Sequence, residues 1–116
     1  MADTTCLFCK IAAREIPADI LRETDRTMAF RDIDPKAPTH ILLIPKEHIE
    51  SVADIDDGHA GTLADLMQAA THLANTEGIA ESGWRLVTNV GAGAGQSVFH
   101  LHFHLLGGRP MAWPPG

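Results

Sequence analysis

The sequence predicts an α+β domain in which one long helix lies against an antiparallel sheet of about five strands. Two observations carry this. Between about Asp57 and Asn75 the apolar positions Leu63, Leu66, Met67, Ala70, Leu73 and Ala74 recur three and four residues apart, the spacing of an amphipathic helix. Elsewhere, short apolar or alternating runs at Ile20-Leu21, Met28-Ala29-Phe30, His40 to Ile44, Trp84 to Asn89 and Val98 to Leu106 are bounded by prolines, glycines and polar turns, as strands are.

The elements follow in chain order. Cys6 to Arg14 reads as a short N-terminal helix with Leu7, Phe8 and Ile11 inward, ended by Ile16-Pro17 because proline disfavours helix in the residue before it. The polar turn Glu23-Thr24-Asp25-Arg26 separates the first two strands. Pro35 and Pro38 enforce a loop, and His40 to Ile44, apolar on both faces and closed by Pro45, belongs in the middle of its sheet. Asp56 or Asp57 caps the long helix, and Gly78 lies just past its end. A glycine-rich loop then leads into the last strand.

With 116 residues, 45% of them hydrophobic and 21% charged, positions 1–116 have the make-up of a single soluble domain. A chain this short builds one core with little surplus, so dimerisation is a natural supplement. The net charge of −6 argues against a general nucleic-acid binder and leaves small phosphorylated ligands open. The longest apolar stretch, Ile41 to Ile44, is too short to enter a bilayer as a span, and Met1 to Thr5 lacks the basic-then-apolar order of a signal peptide. The expected compartment is the cytoplasm, with no membrane partner. Cys6 and Cys9 are too few for a disulfide framework and point to a metal half-site or a redox pair.

The chemistry concentrates in Phe99-His100-Leu101-His102-Phe103-His104-Leu105. On a strand, Phe99, Leu101, Phe103 and Leu105 face the core while the three histidines share the other face, roughly 6.6 Å apart. One histidine there would be structural. Three in strict alternation are not, because side-by-side imidazoliums repel and a merely structural face gains nothing from them. They can grip one metal ion, or one imidazole can act as a nucleophile that its neighbours position. The preceding Gly91-Ala92-Gly93-Ala94-Gly95-Gln96-Ser97 favours the nucleophile, since its glycines let backbone N–H groups approach an anion and Gln96 and Ser97 add hydrogen bonds. The loop lacks a Gly-Lys-Ser/Thr ending and leads into a strand, so it is neither a nucleoside-triphosphate cradle nor a dinucleotide fingerprint.

These residues resemble the histidine-triad (HIT) superfamily, whose signature alternates three histidines with hydrophobic residues, here His100-Leu101-His102-Phe103-His104-Leu105-Leu106. The likeness extends to Phe30-Arg31-Asp32-Ile33-Asp34-Pro35, Ala37-Pro38-Thr39-His40, Ile44-Pro45-Lys46-Glu47-His48-Ile49, Gln96-Ser97-Val98-Phe99, Leu106-Gly107-Gly108-Arg109-Pro110 and Trp113-Pro114-Pro115-Gly116, which resemble its Hint branch. The resemblance implies hydrolysis of purine nucleoside phosphoramidates, and also of acyl adenylates, with release of a nucleoside monophosphate. It makes His102 the nucleophile of a nucleotidyl-imidazole intermediate and gives His104 the stabilising of phosphoryl charge, together with Gly95, Gln96 and Ser97. Ser97 either relays a proton to the leaving amine or holds the phosphate. His40 matches the fourth active-site histidine, Asp32 the ribose contact and Asn89 a phosphate contact. Phe8, Ile16, Phe30, Ile33 and Leu42 match the apolar base pocket. A homodimer is implied, with the C-terminal tail and Trp113 bordering the partner's active site.

Cys6-Leu7-Phe8-Cys9 departs from the best-known Hint members. Other HIT proteins with such a pair complete a structural zinc site with a histidine after the third strand and the first triad histidine, here His48 and His100. No catalytic metal is then required. Reduced free thiols and a redox pair are the alternatives, the latter lacking the expected preceding strand. For activity, the alternatives are a dinucleoside polyphosphate hydrolase and a nucleotide-binding interaction module. The related transferases carry glutamine in place of the third histidine, and His104 argues against them. His59 and His72 fall on the solvated face or ends of the long helix and are assigned no role.

Overall fold

The computed structural model describes residues 5–116; Met1 to Thr4, on which most of the leader reading rests, lie outside them. Five strands, β1 (Ile20–Glu23), β2 (Thr27–Arg31), β3 (Thr39–Pro45), β4 (Trp84–Val87) and β5 (Phe103–Gly107), form one sheet in the order β1-β2-β3-β5-β4, every pair antiparallel. All seven residues of β3 are buried, as its doubly apolar sequence requires of a central strand. Alternation sorts its side chains: Ile41 and Leu43 enter one core with α2 (Ala60–Thr76), while Leu42 and Ile44 enter a second with α1 (Leu7–Ala12).

Helix α2 buries Leu66, Ala69, Ala70, Leu73 and Ala74 on the first face, with Leu63 and Met67 half-buried at its flank. The expected start falls on a 3₁₀ turn, Asp57–His59. Asp56 caps it, its carboxylate accepting the Gly58 N–H at 2.9 Å while His59 Nδ1 accepts the Asp56 N–H at 3.1 Å. At the other end Gly78 takes φ 76°, and the Ile79 N–H donates back to the Ala74 carbonyl at 3.0 Å, which satisfies an otherwise orphaned helix carbonyl. Arg31 donates twice to Glu77, 2.9 Å each, tying β2 to this helix end.

The short helix differs from expectation in length and phase. Cys6 caps α1, its sulfur accepting the Cys9 N–H at 3.2 Å, and the buried face is Phe8, Cys9 and Ile11. Leu7, expected inward, is 43% exposed, because turning Cys9 toward the sheet turns Leu7 away. Arg14 adopts a left-handed φ of 61° just beyond the cap at Ala13, so the helix stops before Pro17 can act on it.

Both C-terminal strands are shorter than their sequence pattern. β4 ends at Val87, and β5 begins only at Phe103. Residues 98–102 leave the sheet, and Phe99, expected in the core, is 45% exposed. The cause is His100, fully buried with its ring bonded to cysteine sulfur and to the Pro45 carbonyl, while the Leu101 N–H donates to the Ile49 carbonyl at 2.6 Å instead of to a strand. Leu101, Phe103 and Leu105 still point into the α2 core, so the alternation outlasts the ladder. Among the described residues no helix is long and apolar enough to cross a membrane.

Candidate active site and metal cluster

The sheet face opposite α2 carries a cleft of ≈ 280 Å³. One end is apolar: Phe8 and Ile16 flank it from the N-terminal region, Phe30 and Leu42 project from β2 and β3, and Ile33 stands fully exposed at the rim. Ser97, His102 and His104 line the same cleft. Asp32 and His104 also line an adjoining pocket with Lys36, His40 and Asn89, so most of the expected base, ribose and phosphate residues fall along one surface. The structure thus brings together nearly all the candidate residues. Gly95, Gln96 and Trp113 are the exceptions: none of them lines either part of the cleft, and Trp113 is 83% exposed in its own chain.

Backbone contacts fix where the ring protons sit. His102 Nδ1 lies 2.7 Å from the His100 carbonyl, which only accepts, so Nδ1 carries a proton and the neutral ring has its lone pair on Nε2. His100 Nε2 meets the Pro45 carbonyl at 2.8 Å, leaving its Nδ1 lone pair for other partners. His40 Nδ1 accepts the Lys36 backbone N–H at 3.0 Å, so its proton is on Nε2, which donates to His104 Nδ1 at 2.9 Å. His104 therefore carries its own proton on Nε2, the remaining donor of its ring. Burial, then the neighbouring His102 and His40, hold His104 down to about 4 against the pull of Asp32, and burial also lowers His40. Both rings are neutral near pH 7.

Asp32, His40 and His104 could on spacing alone hold an ion, their ligand atoms lying within 4.8 Å of one another. The Lys36 N–H argues otherwise. By keeping the proton of His40 on Nε2, 3.4 Å from Asp32 Oδ2, it makes this a proton-linked cluster. The metal reading of the triad is overtaken in the same way: His100, His102 and His104 turn to three different sets of partners.

The glycine loop is more closed than its sequence implies. The Gly95 N–H donates to the Ala92 carbonyl and that of Gln96 to the Gly91 carbonyl. The buried Gln96 side chain accepts from the Gly91 N–H at 2.8 Å and donates to the Glu50 and Val98 carbonyls at 2.8 and 3.2 Å. Gln96 is therefore a brace within the loop rather than a side chain offered to a ligand. Gly95 supplies the left-handed turn, φ 99°, and Ser97, exposed and lining the cleft, is the loop residue left to present its polar groups.

A second polar centre sits beneath α1. Cys6 Sγ lies 3.2 Å from His100 Nδ1, and Cys9 Sγ lies 3.2 Å from His48 Nδ1 and 3.5 Å from His100 Nδ1. Tetrahedral zinc would separate sulfur and nitrogen ligands by about 3.5 Å. The donor set fits zinc. Two sulfurs and two imidazole nitrogens converge within 4.8 Å, and the Pro45 carbonyl presents His100 in the tautomer a metal needs.

The sequence profile of the HIT domain matches residues 13–111. This chain belongs to the HIT family. It is 50% identical over 111 residues to the purine nucleoside phosphoramidase of Escherichia coli K12, covering 96% of this chain and 92% of that one. It is 46% identical to a 14 kDa zinc-binding protein of Zea mays, over 98% and 90% of the two chains. Among solved structures, a HIT family hydrolase from Legionella pneumophila superposes with TM-score 0.93 at 55% identity, covering 96% of this chain and 99% of that one.

Within this HIT domain, two contributors escape a reading of side chains alone. Lys36 lines the adjoining pocket, and its main-chain N–H sets the His40 tautomer; the His100 carbonyl sets that of His102. Backbone groups have no letter in a sequence.

Proposed function

We propose that this HIT domain hydrolyses the P–N bond of purine nucleoside phosphoramidates through a nucleotidyl-His102 intermediate. One observation supports the reading: the His102 Nδ1–H donates to the His100 carbonyl, so the neutral ring has its lone pair on Nε2, and the ring lines a cleft whose other end is apolar. The likeness to the E. coli phosphoramidase supports the substrate class.

In this reading the base lies among Phe8, Ile16, Phe30, Ile33 and Leu42, and Asp32 accepts from the ribose hydroxyls. His102 Nε2 attacks phosphorus, the N–P bond forms, and the bond to the amine breaks. The amine leaves with a proton passed from solvent through the Ser97 hydroxyl, and the water that hydrolyses the intermediate returns a proton to solvent. His104 Nε2–H, Asn89 and the Ser97 N–H stabilise the charge gathering on the phosphoryl oxygens. Water then displaces His102, giving the nucleoside monophosphate and returning the ring to its starting tautomer. Zinc, where Cys6, Cys9, His48 and His100 hold it, supplies a structural tie between α1 and the sheet.

Mixing the protein with an adenosine phosphoramidate should release AMP and free amine. His102→Ala should lose turnover by at least about a thousandfold while still binding AMP. Faster cleavage of dinucleoside polyphosphates would favour a polyphosphate hydrolase, and AMP binding with no turnover of either substrate would favour a binding module.

A further inference from the structure

Residues 98–102 carry the nucleophile yet lie outside the sheet, so no ladder holds His102 in place. The segment is tethered at its start: Gln96 donates to the Val98 carbonyl, His100 Nε2 to the Pro45 carbonyl, and the Leu101 N–H to the Ile49 carbonyl. All of these bonds come before His102. Val87 opposite His104 is the last rung between β4 and β5. The next residue is Thr88, half-buried, and its Oγ1 donates to the His102 carbonyl at 2.8 Å. A threonine hydroxyl thus takes the place of a rung at the point where the ladder has run out.

The Nδ1–H bond of His102 reaches back two residues along its own chain, to the His100 carbonyl. Such a bond persists only while the torsions of 100–102 are held, and both of its ends lie in the stretch without strand pairing. We propose that Thr88 is a positioning residue for the nucleophile: its hydroxyl pins the His102 main chain so that Nδ1–H stays on the His100 carbonyl and the lone pair of the neutral ring stays on Nε2. The hydroxyl touches neither the cleft nor the reacting atoms, and it acts through the peptide of His102. The kinetic part of this proposal rests on the reading of His102 as nucleophile; the tautomer part does not.

Thr88→Val removes the hydroxyl at nearly constant shape, and Thr88→Ser keeps it. Thr88→Val should lower kcat for an adenosine phosphoramidate about tenfold with KM unchanged within about twofold, and Thr88→Ser should match the parent in both. In ¹⁵N spectra of histidine-labelled protein, His102 of the parent and of Thr88→Ser should show a single Nδ1–H tautomer, and that of Thr88→Val a mixture of the two. A melt followed by circular dichroism checks that each variant is folded; should Thr88→Val not fold, Thr88→Ala carries the same expectation. An unchanged tautomer in the variant that lacks the hydroxyl overturns the proposal, as does equal impairment of Thr88→Val and Thr88→Ser. If the parent itself turns over no phosphoramidate, the proposed function fails while the tautomer spectra still decide the role of Thr88.

Discussion

His104 shows how a single residue combines two constraints. Its Nδ1 accepts from His40, and its pKa, about 4 against an ordinary 6.5, keeps the ring neutral so that Nε2–H remains a donor. That depression has a thermodynamic counterpart. The unfolded chain takes up a proton at His104 as pH falls through 6.5, whereas the folded chain resists until about 4. Stability from this group is complete above 6.5 and is lost as pH falls toward 4. Burial sets most of the effect, with His102 and His40 adding to it and Asp32 opposing it. His104→Gln removes the titration while retaining an amide donor and acceptor. Its drop in melting temperature between about pH 7 and about pH 5 should therefore be smaller than that of the parent; equal drops would show that His104 is not held neutral by its site.

At the scale of elements, α1 is only six residues long, and its buried face is shared between Phe8, set edge-on to the His102 ring at 5.0 Å, and Cys9 of the candidate metal cluster. So short a helix has no independent stability. What anchors it is the packing of Phe8 and Ile11 together with the Cys2His2 cluster beneath. Protein prepared without added metal should accordingly contain about one equivalent of zinc per chain. Chelation, or Cys9→Ala, should lower the melting temperature by about 10 °C or more, while phosphoramidate turnover below the new transition persists. Metal content below about a tenth of an equivalent would end the zinc reading, and loss of turnover in still-folded, metal-free protein would contradict a purely structural role.

The same elements show what a sequence can convey. Helix α2 and strand β3 were legible because their burial is decided by periodicity within one segment, and the pattern at Leu66, Ala70 and Leu73 or across Ile41 to Ile44 needs no partner to be read. The candidate site was legible through residue type, from Asp32 to His104. The ends of β4 and β5 were not legible, because they depend on where His100 finds its bonds, at Cys6 and Pro45 far along the chain. The exposed Phe99 follows from that same diversion, while the inward Gln96 depends on its bonds to Gly91, Glu50 and Val98. Nor could tautomers be read, since the carbonyls and N–H groups that set them belong to every residue alike.

The whole molecule leaves one edge to account for. β1 and β4 bound the sheet, and a bare edge strand invites pairing with another chain. On β4, Trp84 is 36% exposed, and the guanidinium of Arg85 donates to the Ala112 carbonyl at 2.9 Å, holding the C-terminal segment beside that edge with Trp113 83% exposed. One indole largely in water and another partly exposed near a strand edge are better explained as surface that a second copy covers than as a free face, and a chain of this size has little core to spare. The expected assembly is a two-fold dimer joined along β4. Light scattering at micromolar concentration should give twice the 12.5 kDa of the chain. Trp84→Glu, which puts a charge on the edge without touching either core, should shift the mass toward a single chain with the circular dichroism spectrum unchanged. A parent protein that scatters as one chain, or a Trp84→Glu dimer as tight as the parent's, would show that β4 is not the joint.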